Sequence, residues 1–177
     1  MDIKTNKHIN YKKSVDEAFI LAAGFGRRLM PLTKKMPKPL VEINQKPMID
    51  YIFDAILLNN YSNLLQDLQK KFNPEKMDAL LAFSSPKNAI GYSGDGDYII
   101  ANDGTVIESD RSDKMVFMGI SVLNTKTLEL VNTDIFSLVE IWSKLIKKRT
   151  CYGMLFENIW FHAGNVEAIK LANKFSE

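Results

Sequence analysis

The sequence predicts a single α/β domain, on three observations. A short unbroken apolar run at residues 18–23 ends in Gly24, the pattern of a strand buried on both faces of a parallel sheet. Further apolar runs alternate along the chain with segments of helical periodicity. No repeat or low-complexity linker breaks this order, so one domain is expected over residues 18–177, preceded by a flexible polar tail over residues 1–17.

The elements follow in order. Residues 40–43 read as a short strand and 44–46 as a turn. Pro47 is expected to open a helix running to about Leu58, because its fixed φ and missing N–H suit a first helical turn. That helix is apolar nearly all round. Leu64, Leu65, Leu68 and Phe72 recur at the spacing of an amphipathic helix over 63–72. A strand is expected at 77–83. Segments 98–101 and 105–108 flank Asn102-Asp103-Gly104, a hairpin signal with glycine where positive φ is needed. Another buried strand covers 115–123. Ser137 and Glu140 have capping-box spacing at the start of a helix over 137–148, and a last helix runs over about 165–175.

Composition narrows the function. The 177 residues are 46% hydrophobic and 25% charged, which suits a globular core. Twenty-three basic and 21 acidic residues leave a net charge of +2, so charge alone supports no polyanion-binding surface, and nucleic acid is not an expected partner. No run reaches membrane-spanning length and residues 1–17 lack the apolar core of a signal peptide, so no membrane partner is expected. The single cysteine, Cys151, lies in the apolar run TCYGMLF and reads as a buried small hydrophobe. It has no internal disulfide partner, which suits a cytoplasmic location. His8, in the tail, reads as solvated.

The chemistry concentrates in FILAAGFGRRLMPLTKKMPKPLVEINQKPMIDYIFDAI, residues 19–56. A buried strand that ends in Gly24-Phe25-Gly26 places a bend with exposed N–H groups at the carboxyl edge of a sheet, where α/β folds bind ligands and where such groups cradle anions. Arg27 and Arg28 follow, and Lys34, Lys35 and Lys38 return in a proline-stiffened segment. That convergence suggests a polyphosphate. No Gly-Lys-Ser/Thr closes a P-loop, and the third glycine of the dinucleotide fingerprint is missing.

LAAGFGRRLMPLT followed by MPKPLVEINQKPMIDYIFDAI resembles the signature of the sugar-1-phosphate nucleotidyltransferases, in particular the bacterial branch of N-acetylmuramate-1-phosphate uridylyltransferases and mannose-1-phosphate guanylyltransferase-like proteins. The resemblance continues through KMDALLAF, GYSGDGDYIIANDGTVIE, MVFMGISVLN and FSLVEIWSKLI to NIWFHAGNVEAI. It implies a Rossmann-like three-layer α/β/α sandwich. The implied reaction is in-line attack of a sugar 1-phosphate on the α-phosphorus of a nucleoside triphosphate, with pyrophosphate leaving and Mg²⁺ as cofactor. On the same ground Leu21, Ala22, Ala23, Gly24, Phe25, Gly26, Arg27 and Arg28 are the expected nucleotide-binding residues, with Arg28 and Lys38 as the catalytic cations. Such chemistry depends on positioning and charge neutralisation, for which arginine offers a bidentate fork and lysine a compact charge.

Two departures from the family pattern stand out. Relatives continue from the helix near residue 47 into a strand, a glycine-rich base- and sugar-binding stretch, and a strand ending in an Asp that holds magnesium. Here DAILLNN passes directly into YSNLLQDLQKKF, so a long internal stretch is missing near residues 60–62, and with it central strands and the first metal ligand. Partly exposed apolar faces are then expected on the helices around residues 48–72, from Ile52, Phe53, Ile56, Leu64, Leu65 and Leu68, and with them self-association. Where many relatives have Trp-x-Asp-Val-Gly-Thr-Pro, with the second metal ligand, this chain has Trp160-Phe161-His162-Ala163-Gly164. His162 reads either as a metal ligand or as a satisfied core or surface side chain, magnesium preferring oxygen. Asp95, Asp97 and Asp110 are candidate replacement carboxylates, although the glycine-rich setting of the first two also suits a plain turn. The sequence thus supports two functions: nucleotidyl transfer to a sugar 1-phosphate, or a catalytically inactive, internally deleted remnant that keeps only the phosphate loop.

Overall fold

The computed structural model describes Ile20 and residues 26–57, 63–133 and 136–174. The tail over 1–17 lies outside the described residues, as does the strand expected at 18–23 apart from Ile20. After short 3₁₀ turns at Arg27–Leu29, Leu32–Lys34 and Lys38–Leu40 come β1 (Glu42–Ile43), β2 (Lys46–Pro47) and helix α1 (Met48–Leu57). Helix α2 (Asn63–Lys71) leads to β3 (Ala79–Ser84), β4 (Ala89–Ile90), β5 (Ile99–Ile100), β6 (Val106–Ile107) and β7 (Val116–Leu123). The chain then forms α3 (Leu138–Lys147), β8 (Cys151–Phe156), β9 (Trp160–Phe161) and α4 (Val166–Lys174). Among the described residues no helix is long and apolar enough to cross a membrane.

The main sheet has the order β7-β3-β8, antiparallel on one side and parallel on the other. All six residues of the central strand β3, ALLAFS, are buried, as an unbroken apolar run between two covered faces requires. Successive strand residues point to opposite faces. Ala79, Leu81 and Phe83 pack with Ile141, Trp142 and Leu145 of α3, whereas Leu80 and Ala82 pack with Leu64 and Leu68 of α2. Helices on both faces of one sheet make the three layers expected. The β5–β6 hairpin docks on β8, where a Cβ on Gly153 would lie 2.7 Å from Ile100, and the Gly153 N–H donates to the Gly104 carbonyl.

Several elements differ from the sequence expectation. Strand β8 was not foreseen, and it supplies the parallel partner of β3 with Ala79 opposite Cys151 and Ser84 opposite Phe156. Pro47 ends β2 opposite Glu42 instead of opening the helix, because Asn44 and Gln45 both take positive φ in a two-residue turn that extends the pairing to Pro47. A proline at the end of such a short strand forfeits little, since the next N–H, that of Met48, reaches the Val41 carbonyl at 3.0 Å. Ser137 caps α3 through the Val139 N–H at 3.3 Å, one residue earlier than a capping box would. The expected exposed helix faces hold only for α1, where Tyr51, Ile52 and Phe53 are exposed. Leu64 and Leu68 of α2 are buried against β3, and Leu65 is partly buried there. The Ile56 side chain lies outside the described residues.

Cys151 is fully buried between β3 and α3, and burial pushes its thiol up to about 12. A thiol this far from ionisation is a weak nucleophile. In the native protein at pH 8 it should therefore react with a disulfide reagent at least a hundredfold more slowly than in denaturant, measured by thiol titration. Comparable rates would show the site open.

Candidate phosphate-binding site

Gly26 sits in the left-handed region, at φ 62° and ψ 26°, immediately before the turn Arg27–Leu29. Its carbonyl accepts from the Leu29 N–H at 2.8 Å and from the Thr33 hydroxyl at 2.9 Å, so the turn is closed from two sides. A Cβ at Gly26 would lie 2.8 Å from Thr33 Cγ2 and 3.1 Å from Lys38 Cβ. The missing side chain is what lets the second basic segment fold back onto the first. Leu29 is buried with Val41 and Ile169, which pins the turn to the segment before β1 and to α4. Arg27 and Arg28 remain exposed beside it.

Gly26, Arg27, Arg28, Leu29, Lys38 and Gly164 line a cleft of about 210 Å³. Lys38 is only partly exposed, and burial, reinforced by the positive charge of Arg28, holds its ammonium below the ordinary lysine value. Among the described residues neither Arg28 nor Lys38 forms an ion pair with a carboxylate. A lysine disfavoured by a neighbouring arginine, neither paired with a carboxylate among the described residues, makes a cleft that gains by taking an anion.

His162 reaches the same place from the other end of the chain. Strands β4 and β9 pair in parallel, Ala89 opposite Trp160, and the His162 N–H continues the ladder to the Ile90 carbonyl at 2.8 Å. Its ring lies 5.5 Å from that of Tyr92, edge-on, and 5.5 Å from that of Trp160. Gly164 has no Cβ to obstruct it: one would lie 2.5 Å from His162 Cε1. Burial lowers the His162 pKa; a backbone hydrogen bond at Gly91 opposes this, Arg28 and Lys38 lower it further, and Asp97 raises it. Nδ1 is buried and has no hydrogen-bond partner.

The candidate carboxylates fare differently. One oxygen of Asp97 accepts the Phe117 N–H at 2.8 Å, and its charge acts on both His162 and Tyr92. Asp95 acts on Tyr92, whose hydroxyl accepts the Gly96 N–H at 3.1 Å. Asp110 is exposed and does not line the cleft. No group of three His, Cys, Asp or Glu side chains suited to a metal occurs among the described residues. A histidine with one carboxylate already engaged by a backbone N–H does not fit magnesium, which takes oxygen ligands in strict octahedral geometry.

The structure places Gly26, Arg27, Arg28 and Lys38 around one cleft, with Gly164, two residues after His162, on its wall. Leu21, Ala22, Ala23, Gly24 and Phe25 lie outside the described residues. Tyr92, Trp160 and Gly164 were missed, because the parallel pairing that assembles them joins segments far apart in the chain.

The chain is similar in sequence and in fold to known nucleotidyltransferases. Residues 17–84 match the family model described as nucleotidyl transferase. The N-acetylmuramate alpha-1-phosphate uridylyltransferase of Caulobacter vibrioides is 22% identical over 228 residues, covering 88% of this chain and 94% of that protein. The aligned stretch of 228 is longer than the 177 residues available, so the relative carries a long internal stretch with no counterpart here. A mannose-1-phosphate guanyltransferase of Hypocrea jecorina is 41% identical over 66 residues, 37% of this chain and 18% of that one. A Bacillus anthracis structure assigned as a glucose-1-phosphate thymidylyltransferase superposes with a TM-score of 0.65 at 15% identity, over 88% of this chain and 92% of that one, a likeness of fold. Over residues 17–84 the chain is similar to the nucleotidyl transferase family.

Proposed function

We propose that this chain binds the phosphates of a nucleoside triphosphate at the Gly26–Arg28 turn and Lys38, for nucleotidyl transfer to a sugar 1-phosphate. The observation that carries the reading is the convergence of Arg28 and Lys38, neither paired with a carboxylate, on one cleft beside a left-handed glycine. Arg28 grips phosphate oxygens as a fork, and Lys38, already short of solvent, gains an anion that offsets the cost of keeping its charge there. The names of the relatives, a uridylyltransferase and a guanyltransferase acting on sugar 1-phosphates, support the substrate class.

A second reading, binding without turnover, is favoured by one observation: the described residues hold no carboxylate cluster to carry a metal. Losing one preorganised electrostatic partner typically lowers a rate on the order of a hundred- to a thousandfold. A pyrophosphate-release assay over UTP, GTP, CTP and ATP with a panel of sugar 1-phosphates separates the two. Turnover near ten per second, about the ordinary enzyme rate, establishes transfer; nucleotide binding with turnover at background establishes the remnant.

Binding itself is tested by Arg28→Ala and Lys38→Ala. Each removes a charged hydrogen bond contributing about 1.5–3 kcal/mol, so calorimetric affinity for the triphosphate should fall by about ten- to more than a hundredfold. Unchanged affinity in both variants would overturn the phosphate-site assignment.

A further inference from the structure

We infer that the cleft takes the phosphate chain as a metal-free anion, with Arg28, Lys38 and the imidazole of His162 supplying the neutralisation and hydrogen bonds that a magnesium ion would otherwise supply. The inference rests on the phosphate-binding reading above and concerns what form of the ligand the site selects.

Three observations carry it. The cleft already holds a surplus of positive charge: Arg28 and Lys38 share it without a carboxylate, and each is within reach of the other's field. A bare phosphate chain relieves that repulsion, whereas the same chain with a bound divalent cation brings two positive charges back. Among the described residues that line the cleft there is also no carboxylate to reward a cation. The carboxylate whose field reaches His162, that of Asp97, is engaged by the Phe117 N–H, and there is no acidic cluster among the described residues.

His162 supplies the third observation. Its ring is held between Tyr92 and Trp160 and over Gly164, which lines the cleft with Arg28 and Lys38. Nδ1 is nevertheless buried without a partner. The neutral ring already has a backbone hydrogen bond at Gly91, so the free nitrogen is one that takes up a proton beside a phosphate and then donates to its oxygen. Nitrogen donors suit an anion directly and suit magnesium poorly.

The test is calorimetric titration of the full chain with inorganic pyrophosphate and with UTP, once in EDTA and once in excess MgCl₂ at matched ionic strength. The expected result is binding in EDTA that magnesium weakens by tenfold or more. Binding that requires magnesium overturns this inference and leaves the phosphate site standing; binding in neither condition overturns both. His162→Ala should weaken metal-free binding about tenfold, and His162→Asp should reverse the dependence, with magnesium improving affinity. Metal-free affinity in His162→Ala equal to that of the wild type would remove His162 from the site.

Discussion

Phe83→Ala should lower the stability of the fold by about 3–5 kcal/mol, a large share of the total of roughly 5–15 kcal/mol that holds a domain together. Phe83 is fully buried on the strand that every other layer packs against. Its ring meets Tyr98 edge-on at 6.2 Å and Phe117 at 5.9 Å, and Phe117 in turn meets Trp142 of α3 at 6.2 Å. Truncation opens a cavity at one node of an aromatic chain that spans the sheet and its helix. The surroundings have little freedom to close it, because the backbone of Gly153 already lies against the Phe83 ring: a Cβ there would be 3.3 Å from Phe83 Cδ2. The damage extends to the site, since the Phe117 N–H holds Asp97, whose loop carries Tyr92 against His162. Urea denaturation measures the loss. A change below about 1.5 kcal/mol, the scale of a volume-conserving swap, would mean that the core is not organised around β3.

How much of this was legible in the sequence depended on how local each signal is. The β5–β6 hairpin was readable because Gly104 answers a local demand, a positive φ of 84°, and α3 because its apolar positions recur within one helix. Strand β8 was not, since CYGMLF alternates weakly and owes its strand form to the parallel partner β3. The burial of Leu64 and Leu68 was misjudged for a related reason. Missing strands were expected to leave α2 uncovered, yet Leu80 and Ala82 of β3, with Met154 of β8, are enough to cover it. In the site, Gly26, Arg28 and Lys38 were visible as a string of residue types whose chemistry is local. The surroundings of His162 were not, because only the β4–β9 pairing brings Tyr92, Trp160 and Gly164 around it.

Gly26→Ala should remove phosphate binding while leaving the sheet folded. The alanine would have to occupy φ 62°, where a Cβ costs about 1–2 kcal/mol. It would also place that Cβ 2.8 Å from Thr33 Cγ2 and 3.1 Å from Lys38 Cβ. Neither neighbour yields easily: the Thr33 hydroxyl is held by the Gly26 carbonyl, and the Lys38 contact is at the root of its side chain, not at its mobile end. Relief therefore comes by turning the Gly26 peptide or by moving the Lys38 segment away. The first breaks the carbonyl's bonds to Leu29 and Thr33, and the second separates Lys38 from Arg28. Either way the cleft loses at least one charged contact of about 1.5–3 kcal/mol, so affinity for pyrophosphate should fall by about tenfold to more than a hundredfold. The main core lies in other residues, around β3, so the far-UV circular dichroism should be nearly unchanged. Calorimetry on a variant with native circular dichroism decides the matter: pyrophosphate bound as tightly as by the wild type would show that the turn does not depend on glycine and that Lys38 does not act with it.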